Sequence, residues 1–209
     1  RPKTLRKGMR TMSNDAHESR KAAVYEAALQ LIGQGVSPAA LKIQQLADAA
    51  GIGKGTVYEY FSSKDEILHG LEVYCFCREN VRIRALMADC TTLAGLEDRV
   101  LGYLQDIAAE RMGSYKMIAE TLGTPDCHGG LADCTKELEQ ILGQLLERLR
   151  AAGEIDPALS PEYYCLSMVS VVVGGLMSLY YAHETGRPVD KLLENLRTML
   201  DRMLRNTAR

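Results

Sequence analysis

Residues 43–66, IQQLADAAGIGKGTVYEYFSSKDE, constrain this chain more than any other segment. Ile43, Leu46, Ala47 and Ala50 repeat at the three-and-four spacing of one buried helical face. Gly51 follows where a helix ends most cheaply in the left-handed conformation, and Ile52 then tucks an apolar side chain under the turn. A second helix starts near Lys54. Val57 and Phe61 lie one turn apart and point inward, Gly55, Thr56 and Glu59 occupy the opposite arc, and Lys54, Tyr58 and Tyr60 flank it. Ser63 and Glu66 form a capping box that opens a third helix.

An outward arc with a cation, a glycine, a hydroxyl and two phenols suits a helix pressed into a DNA major groove. Thr and Tyr meet base edges or phosphates, Gly permits close approach, and Lys neutralises phosphate. Lys64, beside the free amides that begin the next helix, would hold one more phosphate. Charge is distributed accordingly. Residues 1–64 hold ten Lys and Arg against five Asp and Glu, whereas residues 65–209 hold fifteen against twenty-two. A net charge of −2 conceals a basic reading end and an acidic remainder.

Leu46, Ala47, Ala50 to Ile52, Lys54 to Tyr58, Tyr60, Phe61 and Ser63 to Leu68 together resemble the helix-turn-helix signature of the TetR family of bacterial transcriptional repressors, over roughly residues 18–75. The resemblance implies an all-α dimer whose amino-terminal domain binds a double-stranded operator and whose larger carboxy-terminal domain binds an inducer and the partner subunit. It also implies DNA contacts at Lys54, Gly55, Thr56, Tyr58, Tyr60 and Lys64. Two positions depart from the family pattern. Lys42 stands where a capping Thr is frequent, and Gly53 where Ser or another small capping residue is frequent.

Along the chain, residues 1–16 read as a disordered basic arm with Arg1, Lys3, Arg6, Lys7 and Arg10, able to follow phosphates or enter the minor groove. Residues 17–63 read as the DNA-binding domain, its first helix running from His17 to Ile32 with Val24, Ala27, Ala28, Leu31 and Ile32 inside. Residues 64–209 read as the ligand-binding and dimerisation domain. A connecting helix is expected from Lys64 to about Ala88, followed by helices near 93–109, 111–122 and 138–152. The stretch 165–182 is apolar almost all round. Three serines, a Gly pair and the bracketing Pro161 and Gly186 favour a buried helix over a membrane span. With the last helix, 190–204, it is expected to form a four-helix dimer interface through Val169, Val173, Leu176, Leu196, Met199, Leu200 and Met203.

Other chemistry finds little support in the pattern. Gly51 to Thr56 fits neither nucleotide-binding glycine spacing. His17, His69, His128 and His183 are isolated, with no nucleophile nearby in sequence, so no enzyme, cofactor or metal is expected. The leading segment lacks the apolar core of a secretory signal, so the protein is expected in the cytoplasm with reduced thiols. Cys75 and Cys77 point to opposite sides of one helix, Cys127, His128 and Cys134 share a loop region, and no zinc-type spacing occurs. An inducer cavity is expected around Tyr103, Met112, Tyr115, Met117, Ile118 and Tyr180, where thioethers and phenols would line an adaptable apolar site. These readings converge on a ligand-responsive repressor. The alternatives are metal or oxidant sensing through the cysteines, or transcriptional activation.

Overall fold

The computed structural model describes residues 3–111, 129–158 and 160–204, and among them every regular element is helical. The order is α1 (Lys3–Gly33), a 3-10 turn (Pro38–Ala40), α2 (Ile43–Ala50), α3 (Lys54–Tyr60), α4 (Lys64–Met87), α5 (Leu93–Glu110), α6 (Gly129–Ala151), α7 (Pro161–Thr185) and α8 (Asp190–Leu204). The all-α class follows from the three-and-four apolar spacing found throughout. One expectation needs correcting at the start of the chain. Residues 3–16, read as an irregular arm, continue α1, because the lone Gly8 is too weak a breaker to stop a helix propagating outward from a packed stem.

Boundaries elsewhere follow local chemistry. Gly51 closes α2 at φ 67° and its N–H returns to Ala47 and Asp48. Thr92 caps α5 by accepting from the Gly95 N–H at 3.1 Å, and Ser160 caps α7 by accepting from the Tyr163 N–H at 3.1 Å. Pro161 then occupies the first helical turn, where a missing N–H costs nothing.

Two apolar cores result. The first gathers Val24, Ala28 and Ile32 of α1, Leu46 and Ala47 of α2, Val57 of α3, and Phe61. It does not stop at residue 63, since Ile67, Leu71 and Cys75 of α4 complete it. The second packs Leu96 and Leu104 of α5, Leu145 and Leu149 of α6, Tyr164 and Met168 of α7, and Leu196 and Leu200 of α8, with Met87 at the end of α4. α4 is therefore a member of both cores.

By length and composition α7 is apolar enough to cross a membrane. Here it packs on α5, α6 and α8 and buries Tyr164, Met168, Val171, Leu176 and Leu179. That packing corrects part of the expected subunit interface. Leu176, Leu196 and Leu200 are buried inside this chain, because α8 turns its broad apolar face to α5 as well as to α7. Periodicity marks a buried face without saying which neighbour buries it. Val169 and Met199 stay exposed, Val173 and Met203 are half-buried, and Tyr163, Leu166 and Tyr181 add further exposed apolar surface on α7.

Candidate nucleic-acid interface

α3 is fixed from beneath and open above. Val57 and Phe61 are buried, while Lys54, Gly55, Tyr58 and Glu59 are exposed and Thr56 and Tyr60 are half-buried. Tyr58, at 52% exposure, projects into solvent from this helix. Tyr60 is held in place by the His17 ring of α1 at 4.8 Å between centroids. Of the six residues expected at DNA, five thus share one short helix. The sixth, Lys64, sits at the start of α4.

The structure departs from the sequence reading at Glu66 and at Lys64. Ser63 accepts from the Glu66 N–H at 3.1 Å as expected, but the Glu66 carboxylate reaches past it to the Ser62 N–H at 2.7 Å and the Ser62 hydroxyl at 2.6 Å. These bonds hold the carboxyl below the usual carboxylate range, and they place a negative charge at the helix end expected to receive phosphate. Lys64 donates to the Ala39 carbonyl of the 3-10 turn, so its ammonium is engaged within the head. At α2, Gln45 accepts from the Lys42 N–H at 3.2 Å. Lys42 has no acceptor with which to complete the box. Gly53 begins α3 in extended geometry with no side-chain cap.

An aromatic post sets the head against α4. Tyr25 of α1 stands edge-on to Phe61 at 5.5 Å and beside Tyr74 at 5.1 Å. Gly70 of α4 passes beneath it, where an added Cβ would lie 2.9 Å from the Tyr25 ring carbon Cζ. Burial, then the carboxylates of Glu18 and Glu66, push the Tyr25 phenol up to about 12. One turn further on, Glu26 accepts from the Tyr74 hydroxyl at 2.6 Å and pairs with Arg78, whose guanidinium lies over the Tyr74 ring. Nothing in the sequence pattern marked Tyr25, Glu26 or Gly70, because their partners lie more than thirty residues away.

Beyond Arg78 the partners of α4 change to the second domain. Glu79, 7% exposed, accepts from Arg111 at 2.8 and 2.7 Å, from Tyr103 at 2.9 Å and from Arg82 at 2.7 Å. Burial, followed by the Glu79 charge, holds the Tyr103 phenol well above its ordinary range. At the far end Arg99 donates to the Leu86 carbonyl at 2.6 Å, and Arg148 donates to the Met87 carbonyl at 2.6 Å and the Cys90 carbonyl at 3.3 Å. Cations on the last carbonyls of a helix are favourable both as hydrogen-bond donors and against its dipole.

Beside this end lies an apolar cavity of about 100 Å³ lined by Ile83 and Leu86 of α4, Tyr103, Leu142, Val169 and Val173 among others. Of the residues expected around an inducer, Tyr103 lines it. Tyr180 packs on the same core without lining the cavity, and Met112, Tyr115, Met117 and Ile118 fall outside the described residues. Val169 and Val173, expected at a subunit interface, also line this cavity. A wider cleft of about 620 Å³ separates α1 from α4, with Glu26, Gln30, Arg78, Arg82 and Arg111 on its walls. Among the described residues no three His, Cys, Asp or Glu side chains converge as a metal site.

Residues 24–71 match the model of the bacterial regulatory proteins of the tetR family. No curated protein sequence matches the chain. Solved structures with the same fold include the reduced form of E. coli NemR, 17% identical, covering 91% of this chain and 100% of that one at a TM-score of 0.68. A TetR-family regulator from Agrobacterium tumefaciens is 18% identical, covering 91% and 100% at 0.66. FadR from Bacillus subtilis, solved with stearoyl-CoA, is 17% identical, covering 88% and 97% at 0.65.

Proposed function

Residues 24–71 place this chain in the TetR family of bacterial regulatory proteins, and from that premise we propose that it is a cytoplasmic, homodimeric transcriptional repressor that leaves its operator when a small apolar molecule occupies the carboxy-terminal domain. Its reading surface is the α3 arc of Lys54, Gly55, Thr56, Tyr58 and Tyr60. Lys64 joins it by exchanging the Ala39 carbonyl for a DNA phosphate.

The observation that carries this reading is the double membership of α4. Ile67, Leu71 and Cys75 belong to the reading-head core, while Ile83 and Leu86 of the same helix wall the apolar cavity. A ligand that parts α4 from α7 therefore turns the head directly. The cavity is smaller than the roughly 300–1,000 Å³ of ordinary ligand sites, so occupation requires that parting. Repression is relieved only if the ligand favours the parted arrangement, and a near-complete switch needs about 10⁴-fold preference for it. An apolar ligand suits the lining, and of the stearoyl-CoA carried by the FadR neighbour the acyl chain belongs to that class. Leu166, Val169, Tyr181 and Met199 supply exposed apolar surface for a partner subunit. A two-fold dimer then reads a two-fold symmetric operator.

Selection from a randomised duplex pool tests the reading, followed by affinity measurement on the recovered sequence. Tyr58→Ala should lower that affinity by about tenfold or more, as expected for one base or phosphate contact, without changing the melting temperature. Failure to enrich any duplex overturns the regulator reading; unchanged affinity for Tyr58→Ala overturns the α3 contact surface. A genuine inducer should raise the melting temperature and weaken operator binding together.

A further inference from the structure

The thiols of Cys77 on α4 and Cys134 on α6 stand with their Sγ atoms 2.6 Å apart. That is well inside the contact distance of two unbonded sulfurs and about 0.5 Å longer than a disulfide bond. The surroundings fix the two helices in this register. Asn80, one turn beyond Cys77 and itself buried, donates to the Cys134 carbonyl at 2.7 Å and to Glu137 at 3.2 Å, and Glu137 is paired with Arg84 at 2.8 Å. The residues beside Cys77 point the other way along the molecule, since Tyr74 and Arg78 hold Glu26 of the reading head.

We propose that Cys77 and Cys134 form an oxidisable dithiol site, and that closing its disulfide locks α4 onto α6 and so fixes the setting of the DNA-reading head. The co-substrate is a hydroperoxide. Cys77, half-exposed, attacks the peroxide oxygen as thiolate, giving a sulfenic acid and, with one proton, water or an alcohol. The Cys134 sulfur then attacks the sulfenic sulfur, and its proton leaves with the hydroxyl as a second water. Two thiols are oxidised by two electrons and one peroxide bond is reduced. The order follows from access. Cys134 is buried, and burial, followed by its contact with the Cys77 sulfur, pushes its thiol up to about 12, so it resolves rather than initiates. Neighbouring Cys75 faces the opposite side of α4 inside the reading-head core and takes no part.

The test uses the full-length protein treated with hydrogen peroxide, blocked with iodoacetamide and digested for mass spectrometry. A peptide joining Cys77 to Cys134 is expected, lost on reduction with dithiothreitol, absent in Cys77→Ser and in Cys134→Ser, and retained in Cys75→Ser. Alkylation of both thiols after peroxide, or a link to any other cysteine, overturns the site. The second arm rests on the regulator reading and measures affinity for the duplex recovered from the randomised pool. Oxidised and reduced protein should differ by at least about fivefold, the low end of measured allosteric couplings, with Cys77→Ser indifferent to peroxide. Equal affinities overturn the locking role. Failure to recover any duplex counts against the regulator reading alone, because the mapped link needs no DNA.

Discussion

Removing the Glu79 carboxylate should cost this protein about 3 kcal/mol. Deleting one partner of a buried ion pair costs about 3–5 kcal/mol, because the remaining charge is left in a site that cannot hydrate it. Here that charge is Arg111, only 12% exposed. Two features pull the figure toward the lower end of the range. Arg111 keeps a second carboxylate, the half-exposed Asp106, at 2.8 Å, and Arg82 is open enough to turn into water. One feature pushes it up: the half-buried Tyr103 loses the acceptor of its hydroxyl, worth about 1 kcal/mol. Urea denaturation of Glu79→Ala followed by circular dichroism, at fixed protomer concentration, reads the loss. The cycle with Arg111→Met then separates pairing from packing. Glu79→Met with Arg111→Met should lie within about 1 kcal/mol of the parent, with a coupling energy above about 2 kcal/mol. A single-variant loss below about 1 kcal/mol, or additive variants, would refute the claim that this cluster is a buried and mutually dependent strap.

Gly70→Ala poses a conflict of signs: helix propensity favours the alanine by about 1 kcal/mol, whereas the Cβ would crowd a Tyr25 ring already wedged between Phe61 and Tyr74. We expect a net loss of about 1–2 kcal/mol that turns into a gain in a Tyr25→Ala background; a stabilised single variant would dismiss the aromatic post. Lys64→Ala should reduce the dependence of log affinity on log salt by about one, and an unchanged slope removes Lys64 from the phosphate contacts. Alkaline pH should unfold the protein early in tyrosine titration. Burial raises the phenols of Tyr25, to about 12, and of Tyr103 and Tyr164, so above pH of about 10 the folded state keeps protons that the unfolded chain releases. That stability is present below pH of about 10 and is lost as pH climbs toward 12; phenolate absorbance completing before circular dichroism changes would contradict it.

What the sequence disclosed depended on how far apart the interacting residues lie. The α2, turn and α3 unit was legible because its signals are local: the Gly51 turn, the Val57 and Phe61 stripe and the Ser63 cap all act within a few residues. Lys64 read as a free cation because its acceptor at Ala39 is distant in sequence. Glu79 drew no notice in the sequence, because only the folding of α5 against α4 brings Tyr103 and Arg111 to it. Cys134 was grouped with Cys127 and His128 in a loop, yet it lies on α6 facing Cys77. The apolar faces of α7 and α8 were correctly found to be buried somewhere. Leu176, Leu196 and Leu200 turned inward because packing against α5 is available within the chain.

The distribution of partners along α4 argues for the kind of motion that can pass between the domains. From Ile67 to Arg78 the restraints named above, Cys77 excepted, belong to the reading head: the first core, the Tyr25 post and the Glu26 clamp. From Cys77 to the final carbonyls the restraints belong to the second domain: the polar ones to α5 and α6, through Glu79, Asn80, Arg99 and Arg148, and the apolar ones, at Ile83, Leu86 and Met87, to its core. The two sets overlap only at residues 77 and 78. A displacement originating near Ile83 and Leu86 must therefore break or repack the second set while leaving the first intact, so the head moves as a rigid body with its stretch of helix. Melting of the head itself would require disrupting a core in which Val57, Leu46 and Leu71 are fully buried, at several kcal/mol for each side chain removed from it. Rotation about the 77–78 boundary avoids that cost, and the thiol pair of Cys77 and Cys134 sits at this boundary, on the side held by α6.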